Sequence, residues 1–169
     1  MKSILFIVIS LFFINSPADL KANELIISSE IAIKHLPALQ IAHSGELVIF
    51  KYKNWSYTHE VVSPENLIVS VDLTGFEHQF IKSVFEKKIR GELPNWMGLL
   101  AEDFSNKILN KNGSYQKINI GNSIVYGTYS KEEQQGFIFI LEERSIHKLD
   151  ILGAYKDYTA LTNNIIKRD

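Results

Sequence analysis

Proton transfer or metal ligation in this chain would fall to its five histidines, His35, His43, His59, His78 and His147. Their spacing offers little. Neither His59-Glu60 nor Glu77-His78 makes a His-x-x-x-His pair on a helix, and a zinc site needs three or four converging ligands. They read as surface or hydrogen-bonded histidines, and no metal or other cofactor is expected. The chain has no cysteine, which excludes thiol nucleophiles, cysteine-zinc sites and small disulfide scaffolds. It has no Gly-x-Ser-x-Gly elbow to activate a serine and no glycine-rich phosphate loop. Glu102-Asp103, Glu132-Glu133 and Glu142-Glu143 are adjacent pairs. Neighbouring side chains point to different sides of a strand or helix, so each pair reads as solvated surface. Two carboxylates distant in sequence that meet on folding, as in a glycosidase, stay open as an alternative.

What is left is a contact-like segment, Asn54-Trp55-Ser56-Tyr57-Thr58-His59. Aromatic rings beside small polar groups are typical of interfaces, which makes Trp55 and Tyr57 the candidate binding residues. Trp55 has a second reading, as a cover over an open sheet edge. Trp96, close to Pro94, reads as core.

The compartment follows from the first residues. Lys2 precedes an apolar run from Ser3 to Ile14, and Asn15-Ser16-Pro17-Ala18 then ends it with small, helix-breaking residues. This is the pattern of a signal peptide, with cleavage after Ala18 or alternatively after Ala22. A membrane span needs about 20 apolar residues, which the run does not reach. No cysteine follows it to carry a lipid. Either cleavage takes away one net positive charge, so the formal −1 of the whole chain becomes −2. The expected product, 19–169, is a single domain in the periplasm or secreted, with no stable membrane span. No basic stripe points to nucleic acid. Glu86-Lys87-Lys88-Ile89-Arg90 reads as a helix end whose cations suit the dipole.

The elements that would position any site alternate in period. Strands are expected over 25–33, 46–53, 57–62 and 67–73, the last with apolar residues at every odd position. Thr74-Gly75-Phe76-Glu77 reads as a capping box opening a helix that buries Phe76, Phe80, Ile81, Val84 and Phe85 and stops at Gly91. A second helix starts near Pro94 with Leu100, Phe104 and Ile108 spaced by four. Strands over 115–120, 123–129, 136–141 and 146–152 follow, then a helix over 155–167. The sum is an α+β domain: an antiparallel sheet flanked by about three helices.

This order resembles the PsbP-like fold, including the DcrB-like proteins of the bacterial envelope. The resemblance rests on Gly121 to Ile166, where Tyr126-Gly127-Thr128-Tyr129, Gly136-Phe137-Ile138-Phe139-Ile140-Leu141 and Leu149-Asp150-Ile151-Leu152 precede a closing helix. It implies a PsbP-like sandwich and a non-enzymatic binding or assembly role. The leading reading is therefore an exported protein that binds another envelope or incoming protein, including an immunity-type inhibitor of a toxin delivered to the periplasm. The alternatives are a small periplasmic hydrolase with a dispersed active site and a carrier of apolar ligands.

Overall fold

The computed structural model describes residues 23–63, 67–68, 71–109 and 113–168, so the expected signal peptide lies outside the described residues. The architecture is α+β, and every strand pairing is antiparallel. A seven-stranded sheet runs in the order β3(Gln40–Ser44), β4(Leu47–Lys51), β5(Ser56–Val61), β9(Ile146–Leu152), β8(Gln135–Leu141), β7(Ser123–Ser130), β6(Gln116–Ile120). A smaller sheet, β1(Asn23–Ile26), β2(Ile31–His35) and β10(Ile165–Lys167), is not paired to it strand to strand among the described residues. Four helices are present among the described residues: α1(Glu77–Phe85), α2(Lys87–Arg90), α3(Asn95–Ile108) and α4(Tyr155–Asn163).

The large sheet is the middle of three layers, because its central strands are apolar on both faces. On one face Phe139, Leu141, Tyr126 and Ile146 pack against Phe80, Ile81, Val84 and Phe85 of α1 and Met97 and Ala101 of α3. On the other, Ile138, Ile140, Leu149 and Ile151 meet Ile31 and Ile33 of β2, Ile165 of β10, and Tyr158 and Leu161 of α4. Burying the four α1 side chains contributes roughly 6–12 kcal/mol gross, at about 1.5–3 each. The two-residue turns β3–β4 and β6–β7 each open on a glycine with positive φ, Gly45 and Gly121. A glycine in the first central position is what a type II′ hairpin turn demands.

Several expectations need correction. No strand forms among the described residues of 67–73. The Leu67 amide turns back to the Ser63 carbonyl and that of Val71 to Ile68. Ile68, an even position, packs in the same cluster as Leu67 and Val71, which an alternating strand could not achieve. Thr74 does not cap α1. Asp72 Oδ1 accepts from both the Thr74 amide (2.9 Å) and its hydroxyl (2.6 Å), and Phe76 occupies the N-cap without a side-chain bond. The helix expected to reach Arg90 breaks at Glu86, giving two helices where one was expected. Its carboxylate leaves the helix to accept from Tyr126 Oη and from Lys117 Nζ at 2.7 Å. Arg90 then folds back, donating to the Ser83 (3.0 Å) and Val84 (2.7 Å) carbonyls at the end of α1.

Trp96 is not core: it is 54% exposed, because α3 turns Met97, Ala101, Ser105 and Ile108 inward instead. The last helix stops at Asn163 rather than Lys167, since Ile165–Lys167 pairs with β2. Leu25 to Ile33 is likewise a hairpin, not one strand, closed where Ser28 Oγ accepts from the Glu30 and Ile31 amides.

Candidate functional site

A concavity is built where β7 outlasts its neighbour β6. β6 pairs with β7 only as far as Gln116–Gly127, whereas β7 and β8 stay paired through Thr128, Tyr129 and Ser130. Among the described residues no strand flanks that last stretch of β7 on the side away from β8. Thr128 Oγ1 reaches across, donating to the Ser114 carbonyl at 3.2 Å. The end of α3, Tyr115, the loop after β7 and α4 enclose a groove of about 770 Å³ around it.

Tyrosines from three separate segments line this groove: Tyr115, Tyr129, Tyr155 and Tyr158. Tyr129 lies 5.3 Å from the rings of both Tyr155 and Tyr158, and its hydroxyl donates to the Gly153 carbonyl at 2.8 Å. Lys131 stands over Tyr155 at 5.8 Å, within cation–π range. Tyr158 fits against the sheet because of two glycines: a Cβ at Gly136 would come within 2.5 Å of its Cδ2, and a Cβ at Gly127 would strike its hydroxyl. Burial pushes the Tyr158 hydroxyl up to about 12. That hydroxyl makes no hydrogen bond of ordinary length. Thr162, whose side chain tempers the shift, donates instead to Tyr158's own carbonyl at 2.9 Å. Two exposed phenols, Tyr115 and Tyr155, beside the buried Tyr129 and Tyr158, with mixed Lys, Glu, Ser and Thr walls, suit an extended polar chain better than an apolar ligand.

The structure separates the two residues that sequence pairs. Tyr57 is fully buried, stacked on Phe50 at 4.5 Å, and contributes to the core rather than to a surface. Trp55 is half-buried and stacks on Tyr52 at 4.1 Å. It lines a second hollow of about 450 Å³ with Tyr52, Gln134 and Gly153. Glu133 borders both hollows, so Trp55 and the tyrosine groove sit on either side of one loop.

The histidines make a different arrangement. His59 on β5 and His147 on β9 are 88 residues apart in sequence yet stack at 5.3 Å, with His59 Nε2 at 3.1 Å from His147 Nδ1. His147 Nε2 lies 3.1 Å from Glu142 Oε2 and 3.1 Å from Ser145 Oγ. Ser28, in the β1–β2 turn, donates to Glu142 Oε1 at 2.6 Å, and His78 Nε2 bonds the Glu142 carbonyl. Glu142 is thus an interior acceptor tying both sheets together, not solvated surface. Burial, with His147 as neighbour, holds His59 down to about 4. Burial also lowers His147, although Glu142 opposes the shift. Both rings are therefore neutral near neutral pH. One consistent arrangement has His147 Nε2–H donating to Glu142 and His59 Nε2–H donating to the bare His147 Nδ1. Both rings are buried, so no substrate reaches them in this conformation. Among the described residues no three His, Asp or Glu side chains converge as metal ligands. No helix among them is long and apolar enough to cross a membrane.

No known family, characterised protein or solved structure matches this chain.

Proposed function

We propose that this protein binds a segment of another polypeptide in the tyrosine-lined groove and performs no turnover. The groove itself carries this reading: β7 backbone at Thr128–Ser130 that no described strand pairs on the side away from β8, flanked by Tyr115, Tyr129 and Tyr155. An incoming extended chain finds main-chain groups to pair with and rings to pack against, as in strand addition. Tyrosines are frequent energetic centres of such contacts. An enzyme of the alternative class would bring a histidine to the cavity beside its carboxylates, Glu132 and Glu133. Here the buried histidine pair, His59 and His147, is interior and outside the groove. The signal-peptide pattern favours a partner outside the cytoplasm, in the periplasm for a bacterial host. The PsbP-like resemblance favours the same non-enzymatic role. An immunity-type inhibitor is the form of this role in which the bound segment belongs to an incoming toxin.

The test is site-specific photo-crosslinking in cells. A photoreactive residue replacing Tyr155, at the groove, should yield a discrete protein adduct, while the same residue replacing exposed Glu102 on α3 should not. Tyr129→Ala should suppress the Tyr155 adduct. Adducts of equal yield from both positions, or none from Tyr155, would reject the groove as the site.

A further inference from the structure

We infer that the outer edge of β3 joins a second copy of this chain, antiparallel about a two-fold axis, so that two seven-stranded sheets become one. The argument begins with how the edges are guarded. Among the described residues the two sheets have four edge strands: β1, β10, β3 and β6. β1 carries Glu24, β10 carries Lys167 and β6 carries Lys117. A charge on an edge strand discourages pairing with another chain. β3 reads Gln-Ile-Ala-His-Ser, with no lysine, acid or proline. It is the one edge of the four without such a guard.

The same edge is apolar where it meets solvent. Ile41 is 59% exposed and Leu39, just before the strand, is 76% exposed. The Leu39 amide donates to the Lys51 carbonyl at 2.8 Å, so Leu39 follows the line of the strand. Ile41 stands opposite Phe50, on the sheet face that also carries the β2 and α4 contacts. An exposed, neutral edge beside such side chains is a template for a further strand.

Charge selects the occupant and its direction. Lys51 is the cross-strand partner of Gln40, at the start of β3, and Glu46 lies in the turn just past Ser44 at its end. Antiparallel pairing sets the Lys51 end of one copy against the Glu46 end of the other, twice by symmetry. Parallel pairing would set like against like. A two-fold interface uses the same patch on both subunits, and this strand satisfies that requirement with opposite charges at its two ends.

Sedimentation equilibrium of the purified protein at micromolar concentrations tests the inference. The wild type should sediment as a dimer. Ile41→Lys, which gives β3 the guard the other edges have, should weaken the dimer on the order of ten-fold or more. Glu46→Lys should weaken it too, and adding Lys51→Glu should restore it. Thermal melts of each variant confirm that the fold is kept. A monomeric wild type, a dimer indifferent to Ile41→Lys, or a charge exchange that does not restore association would each overturn the proposal. Because the groove lies elsewhere, crosslinking at Tyr155 reports on it independently of this result.

Discussion

Lowering pH should destabilise this fold earlier than its carboxylates would, and the His59–His147 pair sets the size of the effect. A free histidine titrates near 6.5, while His59 in the folded chain titrates at about 4. The unfolded chain therefore takes up a proton that the native state refuses. The contribution is complete above about pH 6.5 and is lost as pH falls toward the folded value. A depression of roughly 2.5 units corresponds to about 3 kcal/mol in full, at about 1.4 kcal/mol per unit. Between about pH 7.5 and about pH 5 the loss from His59 alone should be about 2 kcal/mol. His147 is lowered as well, which adds in the same direction. The assay is a series of urea melts across that range for the wild type and for His59→Phe, which keeps a ring between the two apolar layers. The wild type should lose stability steeply on acidification and the variant less so, by about 2 kcal/mol over the range. Parallel slopes for the two proteins, or stability that rises as pH falls, would refute the reasoning.

Three further outcomes follow from packing and sequence. Phe80→Ala should cost about 3–5 kcal/mol in denaturant melts, because its ring is wholly enclosed between α1 and the sheet. Thr74→Ala, which touches only an exposed turn, should change the same melts by less than about 0.5 kcal/mol. Gly153→Ala would put a methyl carbon 2.5 Å from Trp55 Cβ, so it should lower the melting temperature and shift tryptophan fluorescence. An unchanged spectrum would contradict that contact. Intact mass of the protein recovered from an envelope fraction should begin at Asp19 or Asn23, whereas a full-length species held in the membrane would reject the signal-peptide reading.

Local chemistry was legible in the sequence wherever one segment carries its own instruction. The α1 stripe of Phe80, Ile81, Val84 and Phe85 fixes a buried helix face by spacing alone. Gly121 fixes the β6–β7 turn through its positive φ. The unbroken apolar run Gly136–Leu141 fixes a strand apolar on both faces, and short links between such strands fix an antiparallel α+β sheet. What depends on partners distant in the chain was not legible. Tyr57 looks like Trp55 in sequence, yet the register Phe50↔Tyr57↔Ile151 puts its ring in the core while Trp55 sits beyond the strand start. Glu86 ends a helix because Lys117 and Tyr126 arrive on the neighbouring strands. Ile165–Lys167 continues a helical pattern until β2 offers hydrogen bonds and an apolar face. The groove tyrosines and the His59–His147–Glu142 network join positions tens of residues apart, and periodicity holds no record of such encounters. A side chain's burial is set by what the sheet order lays over it. That order is decided by competition among whole faces for cover, which no single stretch of sequence encodes.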